Sequence, residues 1–176
     1  MTELSWDLSA HVRGALSEAL LAEFLYRRYA DTILHPPRHP GYDVSSASGG
    51  LRVDAKVASI LDVDLDGSGA SSAVEWDGGS AANELHESAT HLGLVVLGET
   101  TSFRLFDGVD AILRGEVRVQ GRVFLVPGET VRENARPLWS VQHGRASRGR
   151  FRYLRLDLLD PFELTVGAVP SSGEGK

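Results

Sequence analysis

Asp43, Asp54 and Lys56 are the residues best suited to chemistry, and they lie in one short stretch, GYDVSSASGGLRVDAKVA at residues 41–58. The stretch predicts two short strands joined by a small-residue turn at 48–50. Alternation along the second strand places Asp54 and Lys56 on one face, and Asp43 can approach them from the neighbouring strand. Two carboxylates and an ammonium on one sheet face suit a divalent cation and a polarised water.

Lysine usage singles out one of these positions. The chain contains sixteen arginines but only two lysines, Lys56 and Lys176. Lysine is the basic residue whose pKa moves readily and whose compact charge can orient a nucleophilic water. The alternative interpretation is an ordinary salt bridge on a surface strand.

The arrangement of Asp43, ten intervening residues and then Asp54-Ala55-Lys56 resembles the PD-(D/E)xK nuclease superfamily, which has the restriction-endonuclease-like fold. The resemblance implies metal-dependent hydrolysis of phosphodiester bonds, most often in DNA, by an endonuclease or exonuclease. It implies that Asp43, Asp54 and the carbonyl of Ala55 hold Mg²⁺, for which Mn²⁺ can substitute, and that Lys56 positions the attacking water.

Two positions depart from the common form of this pattern. Tyr42 precedes Asp43 where the superfamily has proline, and Pro40 is offset from that place. Asp54 replaces the commoner glutamate, which is within the pattern. The first departure weakens the resemblance and the second does not.

The segment 9–29 predicts the first helix, because apolar residues recur in it at helical spacing. The residues of this predicted stripe are Val12, Leu16, Leu20 and Phe24. The resemblance implies that an acid from this helix completes the metal site, and Glu18 matches that role best, with Glu23 as the alternative. Either acid could instead pair with Arg27 or Arg28 at the helix edge.

The order of the predicted elements agrees with the same superfamily. Strands are predicted at 31–35 and 42–47, followed by a long strand from Leu51 that returns as a hairpin at 71–77. A helix at 80–92 and a buried strand at 93–98 complete an αβββαβ core over residues 9–98. Further strands are predicted at 102–106, 111–119, 122–126 and 151–158, with an irregular stretch bounded by Pro127 and Pro137.

These elements predict one α/β domain over residues 1–169, followed by a disordered tail at 170–176. Its central mixed sheet is extended by a C-terminal antiparallel β region over 99–169. The absence of cysteine excludes disulfides, zinc-thiolate sites and cysteine nucleophiles. No long apolar run, signal sequence or phosphate-binding loop occurs, so we expect a cytoplasmic protein with no membrane partner and no nucleotide cofactor.

The charge pattern gives two indications about nucleic acid. The net charge of −6 is unfavourable for phosphate contacts. The tract RASRGRFRYLRLD at 145–157, however, alternates basic and aromatic side chains, which suits contacts to DNA. The predicted nucleic-acid contacts are Arg148, Arg150, Arg152 and Arg155. A solvated edge strand would explain the same tract, and a homodimer is compatible with the sequence.

Two other functions remain open. The chain could be a catalytically inactive relative of the superfamily that binds DNA or another protein, an alternative that the low net charge favours. It could also be a β-rich protein that binds a ligand or calcium, because residues 62–66 match the start of an EF-hand loop, although Ala73 stands where that loop needs a bidentate glutamate. His35 and His39 precede the Asp43 strand, where they could contact phosphate or lie in solvent.

Overall fold

The computed structural model describes residues 10–36, 39–64, 70–78, 85–97, 121–137 and 151–164. These residues form two α-helices, eight strands and two short 3-10 helices at Leu156–Leu158 and Asp160–Phe162. The helices are α1 (Ala10–Tyr26) and α2 (Gly128–Asn134). The strands are β1 (Ile33–Leu34), β2 (Val44–Ser46), β3 (Leu51–Asp64), β4 (Ala70–Asp77), β5 (His91–Leu97), β6 (Gly121–Pro127), β7 (Arg136–Pro137) and β8 (Phe151–Arg155).

The long strand β3 organises the sheet. Strand β5 runs parallel to β3 and pairs with β6 on its far side, whereas β2 and β4 are both antiparallel to β3. Strand β1 extends the sheet beyond β2, and β8 and β7 extend it beyond β4. The mixed sheet and the α/β class are therefore confirmed. Among the described residues, no helix is long and apolar enough to span a bilayer.

Two apolar clusters cover the two faces of the sheet. On one face, Val53 and Ala55 of β3 pack with Leu21 and Leu25 of α1. On the other face, Ala58 belongs to a larger cluster contributed by β4, β5, β6 and β8, by the turn before β5, by α2 and by the segment after β8. The largest fully buried members of that cluster are Trp76, Phe124, Leu92, Leu94, Leu154 and Leu159. The alternation predicted for β3 is confirmed, because Val53 and Ala55 belong to one cluster and Ala58, an odd number of positions further along, belongs to the other.

Helix α1 begins and ends inside the predicted segment. Its most buried residues are Ser17, Leu21 and Leu25, which recur every four positions and point to the sheet. The residues Leu16, Leu20 and Phe24 of the predicted stripe are half-buried beside them. Apolar residues surround much of this helix, so spacing alone did not identify the face that packs most closely.

Gly93 of β5 permits the close approach of α1. A Cβ atom at this position would overlap Leu21 and would lie 3.0 Å from Cγ1 of Val53. We therefore expect Gly93→Ala to lower the free energy of unfolding by roughly 1–3 kcal/mol, the usual cost of overpacking. Urea denaturation measures the change.

Gly14→Ala is the matched control, because nothing lies within 4 Å of a Cβ built on Gly14. An alanine in this helix should raise the free energy of unfolding by about 0.5–1 kcal/mol. Equal stability of Gly93→Ala and the wild type would contradict the close packing of α1 on β5.

The predicted helix at 80–92 is wrong over its second half. Residues 85–90 form turns and bends, and β5 begins at His91. The Thr90 N–H donates to the carbonyl of Arg52, and the Arg52 N–H donates to Oγ1 of Thr90. These bonds start the parallel pairing with β3 and prevent a helix there. Residues 80–84 lie outside the described residues.

In the C-terminal half, one prediction is wrong and another is confirmed only in part. The stretch between Pro127 and Pro137 contains α2, whose first turn carries Glu129 and whose last turn carries Arg132, charges that suit the helix dipole. The strand predicted at 151–158 ends at Arg155 and continues as a 3-10 turn. The predicted strands at 102–106 and 111–119 lie outside the described residues.

Candidate active site

An opening in the sheet lies halfway along β3. Strand β2 pairs with residues 51–53 of β3, and β4 pairs with β3 from Ala58 onward. Both strands occupy the same edge, because β5 pairs with Val53 and Ala58 on the opposite edge. In the described part of the chain, residues 54–57 therefore have no strand neighbour on this edge.

Asp43, which immediately precedes β2, closes one end of the opening. Its N–H donates to the carbonyl of Val53 at 2.8 Å, and its Oδ2 accepts the N–H of Ala55 at 2.8 Å. The N–H and C=O groups of a strand residue point to the same edge, so the Ala55 carbonyl also faces the opening. The Asp43 carboxylate and the Ala55 carbonyl thus lie side by side.

Asp54 and Lys56 project from the face of β3 opposite α1. The Nζ of Lys56 lies 2.5 Å from Oδ1 of Asp54, with the lysine side chain 32% exposed and the aspartate side chain 13% exposed. Asp54 also lies within hydrogen-bonding reach of the Asp43 carboxyl. The lysine is the more accessible member of the pair, so its ammonium can contact a molecule in the opening.

Helix α1 brings Glu18 to the same group of charges. Burial raises the pKa of Glu18, the negative charges of Asp43 and Asp54 raise it further, and the positive charge of Lys56 opposes them. Glu23 is exposed and forms an ion pair with Arg27 at 3.1 Å on the outside of the helix. Of the two acids considered for the site, only Glu18 interacts with Asp43, Asp54 and Lys56.

The environment of Asp43 disfavours its charge. Burial is the main cause that raises the pKa of Asp43, and the nearby Asp54 adds to it through both its charge and a hydrogen bond. The N–H of Ala55 and the ammonium of Lys56 act in the opposite direction. A cation placed between the two carboxylates would remove this conflict.

The raised pKa of Asp43 predicts how stability depends on pH when no divalent cation is present. The folded protein holds a proton on this carboxyl at pH values where the unfolded chain, with its pKa near 3.8, has released it. The protonated Asp43 carboxyl therefore contributes its full stabilisation below pH 3.8, the pKa in the unfolded chain. This contribution is lost as the pH rises through the pKa of the folded protein. Urea unfolding in EDTA between about pH 4 and 7 should show Asp43→Asn gaining stability relative to the wild type.

The comparison reports Asp43 together with its effect on Glu18, because the negative charge of Asp43 is one of the causes that raise the pKa of Glu18. The pKa of Glu18 is also raised above its ordinary value of 4.5, so Glu18 lowers the stability of the wild type over a similar pH range. Parallel stability curves for the wild type and Asp43→Asn would show that Asp43 is not under electrostatic strain.

The oxygen donors at the opening fit Mg²⁺. Two carboxylates and the Ala55 carbonyl are the hard ligands that this ion prefers, with water completing its coordination. Within the described ranges, no three His, Asp or Glu side chains converge on one point. Asp43 and Asp54 are therefore the two carboxylates that would hold an ion together with the carbonyl, and Glu18 would act on it through its charge or through water.

Two of the four predicted nucleic-acid contacts, Arg152 and Arg155, lie in the described part of the chain. Arg152 is only 8% exposed and lies opposite Trp76 in the pairing of β8 with β4. Arg155 is exposed and pairs with Asp157 at 2.7 Å. Arg148 and Arg150 lie outside the described residues, so their role stays a prediction.

Asp31 supports the site in a way that the sequence analysis missed. Its carboxylate accepts hydrogen bonds from the Ser46 hydroxyl at 2.6 Å and from the N–H and hydroxyl of Ser48, both at 2.7 Å. These bonds lower the pKa of Asp31 to about 2 and hold the turn between β2 and β3. The acid is fifteen or more residues from its partners in sequence, so only the small polar residues of the turn gave a signal.

Comparison with models of known protein families gave no match, and comparison with curated protein sequences gave none either.

Proposed function

We propose that this protein is a metal-dependent phosphodiesterase of the PD-(D/E)xK type that cleaves DNA. One observation carries the proposal: Glu18, Asp43, Asp54 and Lys56 interact electrostatically at an opening in the sheet. These residues come from a helix, a loop and a strand, so the fold brings them together and closeness in sequence alone does not. The order α1, β1, β2 and β3 and a β5 parallel to β3 agree with the αβββαβ core of the restriction-endonuclease-like fold. The helix that this core has before its last strand is not formed at residues 85–90.

Mg²⁺ or Mn²⁺, held by Asp43, Asp54 and the Ala55 carbonyl, would supply stabilisation of the negative charge that develops on the phosphate oxygens. The protein positions these donors beforehand, because the Ala55 N–H fixes one carboxylate oxygen of Asp43. Lys56 orients the attacking water through its ammonium, and its ion pair with Asp54 fixes the position of that ammonium. The burial of Asp43 and Asp54 strengthens the interactions that their carboxylates make.

The proposed partner is DNA, because the tract at residues 145–157 is rich in arginine and carries aromatic side chains among the arginines. Arg148 and Arg150 are the contacts that we assign to the phosphate backbone, since Arg152 is buried and Arg155 already has a carboxylate partner. With a net charge of −6, the protein needs such a local concentration of basic residues to bind a polyanion.

Incubation of the full chain with supercoiled, linear and branched DNA in Mg²⁺ or Mn²⁺ tests the proposal. We expect nicking or shortening of at least one substrate, and we expect Asp54→Asn to remove it. Asp62→Asn is the matched control, because Asp62 lies on the same strand, is exposed and bonds only Ser72 among the contacts described. An absence of products from every substrate would contradict the proposal.

The second candidate is a catalytically inactive relative that binds DNA or protein. The ion pair of Lys56 with Asp54 favours it, because a lysine that neutralises the carboxylate competes with a metal ion. Calorimetric titration with Mg²⁺, Mn²⁺ and Ca²⁺, with and without Asp54→Asn, separates the candidates. Binding lost in the variant supports the nuclease, no binding supports the inactive relative, and Ca²⁺ binding that survives the variant indicates a site at residues 62–66.

A further inference from the structure

Three planar side chains form a compact group just before β2. The rings of His35 and His39 stack with centroids 4.2 Å apart, and the ring of Tyr42 meets His35 edge-on at 5.1 Å and His39 at 4.6 Å. All three side chains are half-buried, and none belongs to either apolar cluster of the sheet. The group, here called the ring cluster, therefore packs on itself and keeps part of its surface accessible.

The ring cluster adjoins the candidate active site directly. Strand β1 pairs with β2 so that Ile33 faces Ser45 and Leu34 faces Val44. The N–H of His35 continues this register by donating to the carbonyl of Asp43 at 2.8 Å. Residues directly opposite each other in an antiparallel pair project from the same face. His35 thus shares a sheet face with Asp43.

Hydrogen bonds hold the rings in place before any ligand arrives. The Nε2 atom of His35 lies 2.8 Å from the Ser45 hydroxyl, and Nδ1 of His39 lies 3.0 Å from the carbonyl of Tyr42. Gly41, with a φ of 95°, allows the loop to lie against the turn that contains Ser88. Rings that are already fixed lose little conformational entropy when they bind a partner.

We propose that the ring cluster is a stacking site for an unpaired nucleobase beside the phosphodiester that is cleaved, so that the substrate is nucleic acid with unpaired nucleotides. This inference rests on the proposed function. Aromatic and imidazole faces stack on any base, because every base has a π face. Bases inside a duplex are stacked on one another, and only unpaired bases can be splayed onto protein side chains.

The charge of the protein agrees with this substrate class. Stacking on His35, His39 and Tyr42 contributes affinity that does not depend on phosphate contacts, which a chain of net charge −6 supplies poorly. On the neighbouring strand β1, Ile33 projects from the same face as His35 and is 55% exposed, so apolar surface continues beside the rings.

Fluorescence of 2-aminopurine tests the inference on the full chain in EDTA, where no hydrolysis occurs. Single-stranded DNA and RNA oligonucleotides that contain this base should both show quenching on binding, and the duplex of the same DNA sequence should bind more weakly. His39→Leu should weaken binding of the single strands about tenfold, the scale of one lost stacking contact. Tyr26→Leu is the control, because Tyr26 is a 56% exposed ring at the end of α1 outside the cluster.

An oligonucleotide in which every position is abasic tests the same point with the wild-type protein, so no variant needs to fold. It should bind about tenfold more weakly than the strand of the same length that carries its bases. Equal affinity for single strand and duplex, or equal affinity for the strands with and without bases, overturns the stacking site even if the protein cleaves DNA. Quenching without cleavage in Mn²⁺ supports the stacking site and rejects the proposed nuclease activity.

Discussion

Lys56→Arg should lose cleavage almost as completely as Lys56→Ala, with each variant roughly a hundredfold or more slower than the wild type, the scale of one positioned electrostatic group. The ammonium of Lys56 occupies a compact position 2.5 Å from Asp54. A guanidinium is planar, larger and fixed in charge, so it cannot place a donor at the same point. Single-turnover rates at saturating DNA measure the effect.

The arginine variant is the sharper test of Lys56, because a plain ion pair with Asp54 would survive it. Binding of metal and DNA should remain close to the wild type in both variants, which separates chemistry from binding. Lys176→Arg, at the other lysine of the sequence, is the control. Full activity of Lys56→Arg would leave Lys56 as a structural cation and would reject its role in catalysis.

Asp43→Asn and Asp54→Asn should each abolish cleavage and weaken Mg²⁺ binding while the fold is retained. Each substitution removes one of two negative charges that lie close together, so repulsion in the metal-free protein decreases. Thermal stability in EDTA should hold or rise slightly. In Asp54→Asn, Lys56 loses its carboxylate partner. Because the Lys56 side chain is 32% exposed, water solvates its charge and the loss of stability is small.

Three measurements on the same variants check this second prediction: DNA cleavage in Mg²⁺, calorimetric titration of Mg²⁺, and thermal unfolding with and without the ion. Wild-type protein should gain stability on adding Mg²⁺, and both variants should gain less. If both variants cut DNA at the wild-type rate, the carboxylates assigned here are not the metal ligands.

The sequence predicted the parts of the site that depend on short-range geometry. Alternation along β3 put Asp54 and Lys56 on one face, and a short turn limited how far Asp43 could be from them. The choice between Glu18 and Glu23 could not be made this way. It depends on how α1 is rotated on the sheet, where Leu21 packs directly against Gly93.

The wrong predictions in the second half of the chain have a common cause: the same spacing of apolar residues is compatible with a helix and with a turn followed by a strand. Leu85, Ala89 and Leu92 are all buried, as a helix would require, yet they occupy turns and the start of β5. Hydrogen bonds between Thr90 and Arg52, thirty-eight residues apart, decide the outcome there. Similarly, no local pattern indicates that His35 lies opposite Asp43, since this contact depends on the pairing of β1 with β2.

The opening in the sheet also makes one backbone amide a reporter of the site. Ala55 lies in the middle of the longest strand, yet its N–H is held by the carboxylate of Asp43 instead of a carbonyl from a neighbouring strand. Exchange of this amide with deuterium therefore follows the state of a single side chain, whereas sheet amides exchange with the opening of whole strands. The rate at Ala55 measures how firmly Asp43 is held as ions, protons or substrate arrive.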